Sequence, residues 1–121
     1  MPKKVLALID DLFFSTKISS TAQSCNIPIE LVKTKDTLLE KLDRETPGLI
    51  IVDLNGSSTQ PLETIRALKA DPRYTSAPVL AYFSHVQTEL KEKAFSAGCD
   101  SVLPRSAFSQ NLAQILRTHS Q

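Results

Sequence analysis

The stretch "GLIIVDLNGSS" (residues 48–58) sets four consecutive apolar residues, Leu49, Ile50, Ile51 and Val52, directly before a carboxylate, Asp53. A strand with one face in water alternates apolar and polar residues. An unbroken apolar run predicts a strand buried on both faces, as in a parallel sheet covered by helices. A carboxylate closing such a strand is costly unless it meets partners or a cation.

Outward from this strand, apolar runs and helical patterns take turns along the chain. On the N-terminal side, "KVLALI" (4–9) reads as a strand, and a helix from about Phe14 to Cys25 carries Phe14, Ile18, Ala22 and Cys25 on one face. "IPIELV" (27–32) alternates and reads as a half-exposed edge strand, and "DTLLEKLDRE" (36–45) as a helix that stops before Pro47. On the C-terminal side, the polar loop "NGSSTQ" leads to Pro61 at a first helical position, with Leu62, Ile65 and Leu68 as the buried stripe. "ADPRYTSAP" breaks that helix, and "PVLAYF" (78–83) is the next buried strand. Ser84 caps a predicted helix bearing Val86, Leu90, Ala94 and Ala97, which Gly98 ends. "DSVLP" (100–104) is a short strand, and Ser106 opens a last helix with Phe108, Leu112, Ile115 and Leu116. Regular alternation of this kind predicts one α/β domain over residues 1–121, a flavodoxin-like three-layer sandwich with a five-stranded parallel sheet in the order 2-1-3-4-5.

Composition narrows the function. A formal net charge of +1, with basic and acidic residues interspersed, gives no footprint for direct binding of nucleic acid. No apolar run approaches the roughly 20 residues that span a membrane. The start "MPKKVLALIDD" ends its apolar run in two acids, not in a cleavage site, so it does not read as a leader. Cys25 and Cys99 match no metal or redox spacing and are expected to be reduced thiols of a cytoplasmic protein. With only Gly48, Gly56 and Gly98 as glycines and none in a loop after the first strand, a nucleotide- or flavin-binding enzyme is disfavoured.

In the predicted order the sheet reverses between strands 1 and 3, and ligands of such sheets bind beyond the carboxyl ends of those strands. The residues there are Asp10, Asp11 and Asp53. Converging carboxylates repel and favour a proton or a cation, and a hard ion such as Mg2+ suits them, with the backbone carbonyl of Asn55 as a further oxygen. Each acid alone has a plainer reading: Asp10 or Asp11 could cap the first helix, and Asp53 could cap a turn.

With "LIDD", "IIVDLN", "LKADPRYTSAPV" and "AFSAGCDSVLPR" in this order and spacing, nearly the whole chain resembles the CheY-like receiver domains of bacterial two-component response regulators. The resemblance implies a non-enzymatic signalling module whose phosphoacceptor is Asp53. It implies Asp11, Asp53 and the carbonyl of Asn55 as direct Mg2+ ligands, with Asp10 acting through water. It implies a histidine kinase or phosphotransfer protein as donor, and a downstream protein as target.

The departures lie around the phosphoryl group. The family's lysine is Arg105 here, which keeps the charge but offers a planar fork in place of an ammonium. Arg105 is expected to point towards Asp53 and pair with it. The family's cis-linked proline is replaced by Ser106, before which a cis bond would cost about 2.5–4 kcal/mol. The family's hydroxyl at the end of the fourth strand is replaced by Phe83. The hydroxyl of Ser84, the nearest candidate to contact phosphate, comes one residue late and so on the other face. The mobile aromatic of the fifth strand is Val102. The acids are therefore complete while the readout is altered, and the alternative function is a pseudo-receiver that binds proteins without phosphorylation. His85, beyond the fourth strand, reads as a solvated side chain, and His119, near the end, as part of a frayed terminus.

Overall fold

The computed structural model describes residues 3–56, 59–84 and 88–120. Its elements run β1 (Val5–Leu8), α1 (Leu12–Ser24), β2 (Ile29–Val32), α2 (Lys35–Arg44), β3 (Leu49–Asp53), α3 (Pro61–Ala70), β4 (Val79–Phe83), α4 (Thr88–Ser96), β5 (Ser101–Pro104), α5 (Arg105–Gln110) and α6 (Leu112–His119). The five strands form one parallel sheet in the order β2-β1-β3-β4-β5, the order expected. No helix among the described residues is long and apolar enough to cross a membrane.

Successive residues of a strand face opposite sides of the sheet, so the apolar runs build two cores at once. Leu6, Leu8, Ile50, Val52, Val79, Ala81, Phe83 and Val102 pack against α2, α3 and α4 through Leu38, Ile65, Leu68 and Ala94. Val5, Ala7, Leu49, Ile51, Leu80 and Tyr82 pack on the opposite face, against Phe14 and Ile18 of α1, Phe108 of α5, and Leu112 and Leu116 of α6. The half-buried β2 lies at one edge, as its alternation requires.

Local chemistry sets the ends. The Asp11 carboxylate accepts the Phe14 N–H at 3.2 Å and caps α1, so this helix starts at Leu12, earlier than the expected Phe14. Thr34 caps α2 by accepting the Thr37 N–H at 3.2 Å. The last helix differs more. It begins at Arg105 directly after Pro104, and it is two helices broken at Asn111, whose side-chain amide donates to the Ala107 carbonyl at 2.9 Å. An asparagine side chain that bonds to nearby backbone competes with helical continuation. Among the described residues the peptide bonds are trans, including that before Ser106. His85 and Val86 lie outside the described residues.

Candidate functional site

The two acidic strand ends meet where β1 and β3 lie side by side, at the reversal of the sheet order. Asp53 is the last residue of β3 and only 5% exposed. Burial pushes its carboxyl above the ordinary range. The Asn55 N–H and Arg105 pull it back down, while Asp10 and Asp11 push it up further. The Asn55 N–H reaches Asp53 Oδ1 at 2.9 Å, so Asp53 does close a turn, as its plainer reading foresaw. That contact also fixes the carboxylate's rotamer.

Asn55 joins the ends of β3 and β4 through its side chain. Its Oδ1 accepts the Ser84 N–H at 2.7 Å and the Ser84 hydroxyl at 2.9 Å. The Ser84 hydroxyl is thus committed to Asn55. Phe83, one residue earlier, is buried in the core with Val102, on the α2–α4 face.

Arg105 corrects the expectation made for it. Its guanidinium donates to Asp11 Oδ2 at 2.7 Å, in an ion pair with Asp11 and not with Asp53. The reason is access: Asp11 is part-exposed at the mouth of the pocket, whereas Asp53 is sunk in the sheet. The planar guanidinium also lies over the Phe14 ring, 4.4 Å from its centroid, a contact suited to arginine. From there its charge still acts on Asp53.

Three further residues shape the pocket without having been singled out in the sequence. A Cβ on Gly56 would stand 2.5 Å from Thr59 Oγ1 and 3.2 Å from Asp10 Oδ1, so a side chain here would have to push Thr59 or Asp10 aside. Thr59 is buried. Tyr82, paired in register with Asp53 across β3 and β4, is fully buried beside it. In "PVLAYF" a tyrosine counts as one more apolar residue, and only its register against Asp53 gives it a place in the site.

The donor chemistry suits a hard cation. Asp10, Asp11, Asp53 and the Asn55 carbonyl offer only hard oxygens, which suit Mg2+. Both Asp11 oxygens already have donors, the Phe14 N–H and Arg105. Among the described residues no group of three or more such side chains stands gathered at metal-holding distances. The oxygens fit a divalent ion in kind, and Arg105 holds one of the carboxylates it would use.

The solved structures that share this architecture are, in many cases, CheY-like receiver domains. The chemotaxis response regulator CheY4 of Vibrio cholerae matches with a TM-score of 0.83 at 22% identity, over 98% of this chain and 99% of its own. A putative response regulator from Chloroflexus aurantiacus matches with a TM-score of 0.86 at 15% identity, over 98% of each chain. The receiver domain of the sensor histidine kinase PA1611 from Pseudomonas aeruginosa, solved with a magnesium ion coordinated in its active-site cleft, matches with a TM-score of 0.83 at 18% identity. That match spans 98% of this chain and 97% of the other. At such identities the likeness shows the fold, and the fold of this chain is that of CheY-like receivers. No protein-family model matches the chain, and no curated protein matches it.

Proposed function

We propose that this chain is a receiver module of a two-component phosphorelay, in which Asp53 accepts a phosphoryl group from a histidine kinase or phosphotransfer protein. The observation that carries this reading is the placement of Asp53. It ends β3 at the reversal of the sheet order, under the electrostatic influence of Asp10, Asp11 and Arg105 together.

The chain's own residues divide the work. The Asn55 N–H holds Asp53 Oδ1 and so presents Oδ2 for attack on phosphorus. The new bond is O–P, the bond broken is that from phosphorus to the donor's histidine nitrogen, and the electron pair leaves with that nitrogen. Arg105 supplies positive charge near Asp53, which favours the ionised nucleophile and offers the transferred oxygens a cationic donor. Asp10, Asp11, Asp53 and the Asn55 carbonyl are the residues that would hold Mg2+. When bound, Mg2+ supplies charge neutralisation for the phosphoryl oxygens. Arg105, which pairs with Asp11, would compete with it for that carboxylate.

A second reading, a phosphorylation-independent interaction module, is favoured by one observation: the Asp11–Arg105 ion pair closes the acidic pocket on itself. Incubation with Mg2+ and acetyl phosphate, followed by intact-mass measurement, separates the two. A gain of one phosphoryl mass, lost in Asp53→Asn, supports the receiver. An unchanged mass across a range of Mg2+ concentrations supports the module.

A further inference from the structure

Tyr82 is fully buried, and among the described residues its hydroxyl meets no partner at hydrogen-bonding geometry, with the Asp53 carboxylate as the acceptor that acts on it from just beyond. Buried hydroxyls almost always find one, so each orphan asks for a reason. The ring explains the residue's position but not its oxygen. It stacks on Phe108 at 4.6 Å and 13°, and meets Phe14 edge-on at 4.9 Å, in an aromatic cluster where a phenylalanine would pack as well. Phe14 in turn lies under Arg105, and meets Phe108 edge-on at 5.8 Å.

The oxygen lies within the electrostatic reach of the acidic pocket. Tyr82 and Asp53 are register partners on adjacent strands. Asp53 follows Val52, which packs on the other face, so both side chains stand on the α1–α5–α6 side. Burial raises the phenol's pKa, and Asp53 raises it further, through its charge and as the acceptor that the hydroxyl faces. A phenol kept neutral remains a donor to such an acceptor.

We infer that the Tyr82 hydroxyl is the pocket's hydrogen-bond donor to the group carried by Asp53, replacing the hydroxyl that Phe83 lacks. The inference rests on Asp53 as phosphoacceptor and adds a donor on the opposite face of β4. Loading of Asp53 places new anionic oxygens beside that donor. Because the Tyr82 ring is stacked on Phe108, any adjustment of Tyr82 is felt first by α5 and, through Phe14, by α1.

The test is binding of fluoroberyllate in the presence of Mg2+ to wild type, Tyr82→Phe and Tyr74→Phe. The chain has two tyrosines and no tryptophan, so the tyrosine ultraviolet difference spectrum on binding can be assigned between them. Tyr74 bonds to Asp43 and serves as control. The expected results are a tyrosine signal in wild type that survives in Tyr74→Phe and vanishes in Tyr82→Phe, and about tenfold or greater loss of fluoroberyllate affinity in Tyr82→Phe. A second reading needs no variant: the Tyr82 ring carbon bearing oxygen, followed by 13C NMR in wild type, should shift on binding. Equal fluoroberyllate affinity in Tyr82→Phe, or an unmoved ring carbon in a wild type that binds, overturns the inference and leaves the receiver reading standing. A wild type that binds no fluoroberyllate overturns both.

Discussion

At the scale of single residues, the site is a balance between like charges and one arginine. Arg105 satisfies Asp11 from the pocket mouth, where both side chains are about one-third exposed, so their pairing is screened and worth at most about 1 kcal/mol. A divalent ion held by Asp11 would compete with it. Arg105→Ala is therefore expected to bind Mg2+ up to about fivefold more tightly in titrations followed by NMR, a factor equivalent to about 1 kcal/mol. Affinity unchanged or weakened would show that the arginine is no competitor. Asp53 gives a second prediction, through pH. Its folded pKa is raised, chiefly by burial, so between the ordinary carboxylate range and that raised value the folded state holds more protons than the unfolded one. Stability from this group is then full below the ordinary range and is lost as pH rises through the folded value. Asp53→Asn, which keeps an acceptor for the Asn55 N–H, should be more stable than wild type at neutral pH, and the gain should disappear on acidification. Urea unfolding across a pH series checks it, and a gain independent of pH would count against the assignment. The three acids could be read from the sequence because strand ends and sheet order place them. The partner of Arg105 could not, since the choice between Asp11 and Asp53 depends on which is sunk in the sheet.

At the scale of elements, β3 and β4 were legible because strands buried on both faces are unbroken apolar runs, and β2 because one of its faces is wet. The break between α5 and α6 was hidden because Phe108, Leu112 and Leu116 keep helical spacing straight across Asn111, and periodicity does not register one competing amide. The end of α4 was legible in Gly98, whose φ of +106° favours glycine. Its surroundings sharpen the requirement. A Cβ there would stand 2.8 Å from Lys69 Cγ. Lys69 has little room to yield, because its ammonium is held by Asp100 Oδ2 at 2.8 Å and by the carbonyls of Ala77 at 2.9 Å and Thr75 at 3.2 Å. Asp100 also accepts the Val79 N–H at 2.8 Å, so this lysine ties α3 to the starts of β4 and β5. Gly98→Ala should cost about 1–3 kcal/mol from backbone strain and the close approach, measured by urea unfolding. A loss below about 0.5 kcal/mol, the range of neutral surface changes, would mean that the turn relaxes freely.

At the scale of the whole molecule, the sheet separates two cores, with the altered switch positions in one and the aromatic cluster in the other. Phe83 and Val102 belong to the core under α2, α3 and α4, while Tyr82, Phe14 and Phe108 belong to the core under α1, α5 and α6. Under the proposed receiver role, the resemblance of the sequence would imply a signal sent through the first core, by a hydroxyl that moves towards the phosphoryl group and a ring that fills the space it leaves. Phe83 has no donor, which forgoes one charge-assisted hydrogen bond of about 1.5–3 kcal/mol. Moving a two-state equilibrium from one per cent to ninety-nine needs about 5.5 kcal/mol of differential affinity, so that loss removes much of the drive. The Phe83 ring is itself buried beside Val102, which has no ring to swing. The face formed by α4 and β5 is therefore expected to keep one conformation whether or not Asp53 is loaded. Methyl NMR with Mg2+ and fluoroberyllate tests it, with Ala94 and Val102 reporting on that face and Leu112 and Leu116 on the other. Shifts confined to the pocket and the α1–α5–α6 side are the expected outcome. Large shifts across residues 88–104 would mean that a signal crosses the first core by a route needing neither the hydroxyl nor the ring.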